Sequence, residues 1–292
     1  MSIDVAKLNE FIGQLELTKF EDYIIRMALA HDKKIVEHLE SANAWTKGHG
    51  QGKLLEYYVY EMIKHNIGRY PYIEKLVIKG RDVPYKIRNS DGRVKNGLCY
   101  DTAGNIVLRG NGLELAEFYL MMLARDGSVI FGEVFNSARN VAREDKEFGL
   151  KRKLLSNLTG RNVIGLVISS KDLSTNKVVV EVLKDTWNRF VLLRDYPDTD
   201  FQASLTRNIR FKMFLPGSMI TVRQLLTING FDYNKVQADT RRALISTLKT
   251  SGGINSIMDI LSVTIASNVH LFHIQRKSIS NFLTKYHSSV VP

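Results

Sequence analysis

The first part of the chain has the hydrophobic period of helices. Apolar residues recur every three or four positions in three segments between residues 3 and 42, and again from Lys53 to Gly68. This spacing predicts amphipathic helices, and Gly68 suits a helix C-terminal end. The intervening stretch, Trp45 to Lys53, is WTKGHGQGK, and its three glycines predict a break. The pattern predicts a helical N-terminal segment over residues 1–50, followed by a long helix that begins near Lys53.

After Pro71 the pattern changes to short apolar runs separated by Gly, Asn and Asp, which is typical of strands and turns. A charged helical segment spans residues 140–158. Asn162 to Ser170 is then almost continuously apolar, as in a fully buried strand. Residues 176–183, NKVVVEVL, predict another strand. This order predicts an α/β fold over residues 51–215, with a mixed sheet flanked by helices.

Residues 216–292 have a helical period only, and we expect them to form a separate helical C-terminal domain. Thr221 and Gln224 predict a capping box at the start of its first helix. A glycine turn and a second helix follow, an arrangement that resembles a helix-turn-helix, although many helical bundles contain such a pair. Basic residues recur every seven positions on the second helix, which predicts a stripe that contacts nucleic acid: Lys235, Arg242 and Lys249.

Two carboxylates lie inside an apolar hairpin pattern. Leu113 to Phe135, LELAEFYLMMLARDGSVIFGEVF, consists of two apolar runs joined by an Arg-Asp-Gly turn, with Glu117 and Glu133 in the apolar parts. Burying an unpaired carboxylate is costly. Each acid is eight residues from Arg125, so we expect the two to lie opposite each other across the hairpin, with Cβ atoms about 5 Å apart.

Carboxylates at that distance repel unless a proton or a cation lies between them. Carboxylate pairs are ligands that suit Mg²⁺ or Mn²⁺. The first interpretation is therefore a metal site with Glu117 and Glu133 as ligands. The alternative interpretation has Glu114, Glu117 and Glu133 in salt bridges with the cluster Lys151-Arg152-Lys153, and the sequence leaves both open.

The charge balance favours a polyanionic partner. The chain has 292 residues, 41 of them Lys or Arg against 30 Asp or Glu, a formal net charge of +11. Seven bases and three acids lie between residues 139 and 161. Beside a carboxylate–metal cluster, this surplus would bind a phosphate backbone. The predicted contacts here are Arg139, Arg143, Arg152 and Lys153.

Several functional classes are disfavoured. Cys99 is the only cysteine, so neither an intrachain disulfide nor a thiolate zinc site is expected. The motif GHGQGK lacks the spacing of a phosphate-binding NTPase loop. The N-terminus lacks a signal-peptide pattern, and no apolar run has the length of a membrane span. We expect an intracellular protein, cytoplasmic or nucleoid-associated, with no membrane partner.

A helix with a Glu, an acidic strand, a turn, a second acidic strand, a basic helix and a buried strand together resemble the core of the PD-(D/E)XK restriction-endonuclease-like nucleases. The resemblance covers about residues 51–170. It implies that Glu56 is the acid of the first helix, Glu117 the usual Asp and Glu133 the acid of the (D/E)-x-K element. The position of the family lysine holds Phe135. A cation from the following segment would have to replace it, and the candidates are Arg139, Lys146 and Lys151.

The resemblance implies a divalent-metal-dependent endonuclease that hydrolyses phosphodiester bonds, with double-stranded DNA as the favoured substrate. Glu117 and Glu133 would bind Mg²⁺ or Mn²⁺, Glu56 would assist, and Lys146 or Lys151 would stabilise the phosphate. A homodimer would let two sites cut two strands. The alternative is a non-catalytic nucleic-acid-binding protein, such as a packaging, regulatory or nucleocapsid-like factor. The carboxylate pair discriminates between the two, because acids near a phosphate-binding surface repel the ligand of a simple binder.

Overall fold

The computed structural model describes residues 3–95, 97–110, 112–137, 141, 144–197 and 215–227. Several predictions fall outside the described residues. They concern the helix-turn-helix beyond residue 227, the side chain of Lys146, and the predicted nucleic-acid contacts Arg139, Arg143, Lys235, Arg242 and Lys249.

Four helices form the N-terminal part of the chain, and they confirm the helical period of residues 3–42. They are α1 (Val5–Glu16), α2 (Asp22–Leu29), α3 (Lys33–Leu39) and α4 (Ala44–Asn66). Asp4 and Asp32 cap α1 and α3 by accepting hydrogen bonds from backbone N–H groups of the first turn.

The predicted glycine-rich break is wrong, because α4 begins at Ala44 and runs through it. The side chain of Asn43 caps the helix by accepting from the N–H groups of Trp45 and Thr46, at 2.9 and 3.1 Å. Gly50 lies against α3: a Cβ there would come within 2.8 Å of the Cβ of His38. Close packing between helices therefore outweighs the low helix propensity of glycine.

The main sheet has six strands in the order β8-β7-β6-β5-β1-β9. Its pairs β1–β5 and β5–β6 are antiparallel, and β6–β7, β7–β8 and β1–β9 are parallel. This arrangement confirms the α/β class with a mixed sheet. The strands are β1 (Ile73–Val77), β5 (Leu120–Ala124), β6 (Val129–Phe135), β7 (Val163–Ser169), β8 (Asn188–Leu192) and β9 (Met219–Ile220).

A second, antiparallel sheet of three strands is inserted between β1 and β5 along the chain. It contains β2 (Gly97–Tyr100), β3 (Ile106–Gly110) and β4 (Leu113–Phe118), which pair in that order. Helix α5 (Tyr85–Asp91) precedes it. Short 3₁₀ turns span Ile67–Arg69 and Gly80–Asp82.

The remaining described helices are α6 (Glu144–Thr159), α7 (Lys177–Leu183) and α8 (Val222–Thr227). Helix α7 replaces the strand predicted for residues 176–183. Asn176 caps it by accepting from the N–H of Val178 at 2.9 Å. The capping box that opens α8 is confirmed. The N–H of Thr221 donates to Gln224 Oε1 at 2.8 Å, and the N–H of Gln224 donates to Thr221 Oγ1 at 3.2 Å.

The main sheet separates two hydrophobic clusters. Helices α1–α4 pack on one face, and α6, α7, α8 and the small sheet pack on the other. In β6, Ile130 and Val134 belong to the first cluster, whereas Phe131 and Phe135 belong to the second. Strand alternation places Glu133 on the second face, with Phe131 and Phe135. Within the part of the chain described, no helix is both long and apolar enough to cross a bilayer.

Candidate functional site

The predicted hairpin is divided between two sheets. Strand β4 ends at Phe118 and β5 begins at Leu120. Glu117 is the partner of Val107 on β3, and Leu120 is the partner of Gly132 on β6. The expected direct pairing of Glu117 with Glu133 across one hairpin is therefore wrong. The chain changes sheet at Tyr119, and an apolar pattern does not distinguish a strand that bends there from one that continues.

Both carboxylates nevertheless belong to one cluster, which we call the Tyr119 cluster. Three lysine ammonium groups surround the ring of Tyr119. Those of Lys53, Lys151 and Lys79 lie 5.3, 5.7 and 5.9 Å from its centre. The carboxylates of Glu56, Glu117 and Glu133 each contact at least one of these lysines. The cluster therefore combines side chains from α4, β4, β6 and α6 with Lys79, which follows β1.

Both carboxylate oxygens of Glu56 accept a hydrogen bond from a lysine of the cluster. Its Oε2 accepts a hydrogen bond from Lys53 at 3.0 Å, and its Oε1 accepts one from Lys79. Burial alone raises the pKa of the Glu56 carboxyl, but Lys79 and Lys53 outweigh burial and lower that pKa. Burial likewise disfavours the charged form of Lys53, yet Glu56 and Glu117 raise its pKa overall. Both groups are therefore charged at neutral pH.

Glu133 and Lys151 form a second, almost completely buried pair. Glu133 is on β6 and Lys151 is on α6, and Lys151 Nζ lies 3.0 Å from Glu133 Oε2. Lys151 was one of the predicted replacements for the lysine missing at Phe135. The structure brings Lys151 to Glu133, while Phe135 itself is buried in the core.

Lys79, Lys53 and Tyr119 were not predicted. Lys79 donates to the carbonyl oxygen of Tyr119 at 2.9 Å, and burial lowers the pKa of its ammonium group. Lys53 lies three residues before Glu56 on a helix, and this spacing could have indicated the ion pair. Lys79 and Tyr119 meet only through the tertiary fold, and no local pattern indicates such a contact.

The alternative interpretation, in which these acids form salt bridges with the cluster Lys151-Arg152-Lys153, is confirmed for one pair only. Glu133 pairs with Lys151, whereas the other two residues of the Lys151-Arg152-Lys153 cluster do not contact these acids. Arg152 forms an ion pair with Asp185, and Lys153 is exposed. Glu114 is exposed on β4, and partial burial and the nearby Glu117 raise its pKa.

Glu117 supplies the observation that bears on a metal ion. Its Oε1 atom is buried and accepts no hydrogen bond within the described residues. The nearest ammonium, that of Lys53, is 3.5 Å away, which is beyond a normal hydrogen bond. Buried carboxylate oxygens without hydrogen bonds are rare. Carboxylate oxygens are the ligands that Mg²⁺ and Mn²⁺ prefer, so this oxygen has the chemistry of a ligand for either ion.

A second buried group contains three residues with metal-ligating atoms. One ligand atom each of His31, Glu61 and Asp82 lies within 4.8 Å of the others. The ammonium of Lys64 donates to Glu61 Oε1 at 2.8 Å and to Asp82 Oδ2 at 2.6 Å. A protein cation thus already lies between the two carboxylates. A metal ion at this group would have to displace Lys64, just as an ion between the acids of the Tyr119 cluster would compete with Lys53 and Lys151.

Hydrogen bonds around His31 show what this second group does. The backbone N–H of Arg81 donates to His31 Nδ1 at 3.3 Å, so the ring proton is on Nε2, which donates to Glu61 at 2.6 Å. His31 also packs against Gly80, which has φ +59°, and a Cβ there would come within 2.6 Å of the ring. The network therefore fixes the turn that follows Lys79, and we assign it a structural role.

Comparisons of this chain with protein-family models, with curated proteins and with solved structures found no match.

Proposed function

We propose that this protein is a divalent-metal-dependent nuclease that hydrolyses phosphodiester bonds of nucleic acid, with DNA as the favoured substrate. The observation that carries the proposal is the convergence of Glu56, Glu117 and Glu133 with Lys151 around Tyr119. These acids come from three separate elements. Ionisable groups concentrated at one buried place are typical of functional sites.

The order of the elements supports a relationship to the PD-(D/E)XK nucleases. Helix α4 is followed by β1, β5 and β6, which form an antiparallel meander, then by α6 and by β7, which is parallel to β6. The resemblance implied a helix, two acidic strands, a basic helix and a buried strand in that order. Helix α4, β5, β6, α6 and β7 follow this order, with β1 and the small sheet between α4 and β5, and the first acid lies on β4 rather than on β5. The two predicted acids lie at the end of β4 and on β6, and the first-helix acid lies on α4.

In the proposed reaction Glu117 and Glu133 would hold Mg²⁺ or Mn²⁺. A bound divalent ion would lower the pKa of a bound water and polarise a phosphoryl oxygen. The ammonium of Lys151, in contact with Glu133, would stabilise the negative charge that develops on the phosphate. Lys53 and Lys79 keep Glu56 ionised and fix its position at the edge of the site.

The proposal is tested by cleavage of labelled DNA and RNA in the presence of Mg²⁺ or Mn²⁺. We expect Glu117→Gln, Glu133→Gln and Lys151→Met to reduce the rate about 100-fold or more, because the first two remove a charged metal ligand and the third removes the cation that acts on the reacting phosphate. Glu181→Gln is the matched control, since Glu181 is an exposed carboxylate that pairs with Lys184. Thermal melting checks that each variant is folded.

Absence of cleavage by the wild type on both nucleic acids, together with salt-sensitive binding, would contradict the nuclease. That result would favour the non-catalytic nucleic-acid-binding protein and make the carboxylates structural.

Metal binding is tested separately, by the rise in melting temperature on addition of Mn²⁺. A ligand at 100 times its Kd stabilises a folded protein by about 2.7 kcal/mol. We expect this rise in the wild type and in Glu61→Gln, and its loss in Glu117→Gln and Glu133→Gln. The reverse pattern would place the ion at the group of His31, Glu61 and Asp82 instead.

A further inference from the structure

An aromatic side chain is exposed at the N-terminal end of α4. Trp45 is 79% exposed, and its ring is stacked on that of His49, with centroids 6.1 Å apart and planes at 11°. Burial lowers the pKa of His49, and the nearby His38 and Lys53 lower it further, so the imidazole is uncharged at neutral pH. Trp45 and His49, which we call the Trp45 platform, therefore present a flat, neutral aromatic surface to solvent.

The Trp45 platform lies on the face of α4 that leads to the Tyr119 cluster. Trp45, His49, Lys53 and Glu56 follow one another at intervals of four, four and three residues. This spacing puts all four on one side of a helix. At a rise of about 1.5 Å per residue, Trp45 and Glu56 are about 17 Å apart along the helix axis.

The same part of α4 suits a phosphate backbone. No acid occurs from Asn43 to Leu55, and the stretch contains Lys47 and Lys53. Helix N-termini normally favour acidic residues because of the helix dipole, yet the first turn of α4 has none. Negative charge supplied by a ligand would complement this end of the helix.

A hydrogen bond also ties the helical turn of the Trp45 platform to the strand that carries Glu133. Asn136, one residue beyond the end of β6, donates from its side-chain amide to the carbonyl oxygen of Gly48 at 3.3 Å. Gly52 lies beside the same side chain, and a Cβ there would make an ordinary van der Waals contact, 3.6 Å, with the Asn136 amide nitrogen. The strand that carries Glu133 thus leads directly into a contact with the helical turn that carries the platform.

We propose that the Trp45 platform stacks an unpaired base of the nucleic-acid substrate. The preferred substrate is then a duplex with a single-stranded segment, such as an overhang, a flap or a branch. Bases within an intact duplex are already stacked on their neighbours and do not present a free face. A stacked strand advances about 3.4 Å per nucleotide, so the unpaired base lies within about five nucleotides of the cleaved bond. This inference rests on the proposed nuclease and names its substrate class.

The test is equilibrium binding of labelled oligonucleotides in EDTA, so that no cleavage occurs. We expect Trp45→Ala to weaken binding of a single strand and of a duplex with an overhang about tenfold, as loss of one base–aromatic stack does. Binding of a blunt duplex should change by less than about twofold. Trp45→Phe should restore most of the affinity, and Trp187→Phe, which alters the other tryptophan of the chain, should leave binding unchanged.

Equal affinity of Trp45→Ala and wild type for the overhang substrate would overturn the inference, and so would an equal loss on all three substrates. In the Trp187→Phe protein, quenching of the remaining tryptophan fluorescence by a single strand, but not by a blunt duplex, would support it directly. The outcome is independent of catalysis. If Trp45→Ala weakens binding but the wild type shows no metal-dependent cleavage, the nuclease is refuted and the stacking surface is supported. If the wild type cleaves but Trp45→Ala binds as tightly as the wild type, the nuclease is supported and the stacking surface is refuted.

Discussion

Lys64 is completely buried between two carboxylates, Glu61 and Asp82, and donates a hydrogen bond to each. A buried charge of this kind contributes little net stability as a pair, but removal of one partner leaves the others uncompensated. The same reasoning applies to Lys79 beside Glu56 in the Tyr119 cluster. At the scale of single residues, buried lysines are what allow this protein to keep several carboxylates out of water.

We expect Lys64→Met to lower the free energy of unfolding by about 3–5 kcal/mol, because two buried carboxylates lose their common counter-ion. Urea denaturation measures the change. Lys184→Met is the control: Lys184 pairs with Glu181 on the surface, and exposed pairs contribute at most about 1 kcal/mol. Equal losses in the two variants would contradict the role assigned to Lys64.

The pH dependence of stability should report on Glu61. Burial raises the pKa of its carboxyl, but hydrogen bonds from His31 and His65 and the charge of Lys64 outweigh burial and lower that pKa below 4.5, the value for the unfolded chain. A depressed folded-state pKa gives stability that is complete above the unfolded value and is lost as the pH falls below it. We therefore expect the urea midpoint to fall between about pH 5 and pH 3, and to fall less in Glu61→Gln. An equal fall of the urea midpoint with pH in the wild type and in Glu61→Gln would contradict the role assigned to Glu61.

Helix α4 shows at the scale of elements where local sequence patterns stop being informative. Its second half was predicted from an apolar stripe, whereas its first half was not, because Gly48, Gly50 and Gly52 disfavour an isolated helix. The close packing of Gly50 on α3 provides compensation. In the same way, the valine-rich segment of α7 has strand propensity, but its cap at Asn176 and the burial of Val179 and Val182 make it helical.

Two glycine substitutions in α4 should have opposite effects. We expect Gly50→Ala to destabilise the protein by about 1–3 kcal/mol, since the new Cβ would lie 2.8 Å from the Cβ of His38 and 3.1 Å from the backbone nitrogen of Leu39. Gly48→Ala meets no atom within 4 Å, so it should stabilise the helix by up to about 1 kcal/mol. Urea denaturation of both variants checks the two signs, and destabilisation by both would show that the helix is strained at Gly48 as well.

The Tyr119 cluster was predictable only where its residues lie on regular local patterns. Glu133 was predicted from its strand pattern, Glu56 and Lys151 were implied by the resemblance to the nuclease core, and Glu117 was expected in the cluster but with the wrong neighbour. The change of sheet at Tyr119 and the approach of Lys79 depend on contacts between distant segments, including the hydrogen bond from Lys79 to the Tyr119 carbonyl oxygen. Such contacts leave no periodicity in the sequence.

At the scale of the whole molecule the surplus of positive charge is the dominant feature. A net charge of +11 favours association with phosphate backbones at low salt. The predicted contact Lys153 is exposed on α6, the helix that also carries Lys151. The two side chains point to different sides of that helix, Lys151 to the buried site and Lys153 to solvent.

We expect the salt dependence of DNA binding to identify that contact. Lys153→Gln should reduce the slope of log Kd against log salt concentration by about 1, as the loss of one phosphate contact does. Lys7→Gln on α1 is the control, because Lys7 is exposed but pairs with Asp4. Fluorescence anisotropy over a salt series gives both slopes. An unchanged slope for Lys153→Gln would exclude Lys153 from the binding surface.

The chain leaves the main sheet after β1, forms the small sheet and re-enters the main sheet at β5. The hydrogen bond from Lys79 to the carbonyl oxygen of Tyr119 joins the two ends of this insertion. The Tyr119 cluster therefore lies at the base of the inserted small sheet, where the chain leaves the main sheet and returns to it. The charged centre can form only when Lys79 and Tyr119, at the two ends of this insertion, have come together. Assembly of the Tyr119 cluster is thus coupled to the folding of the small sheet, whose strand β4 supplies Glu117.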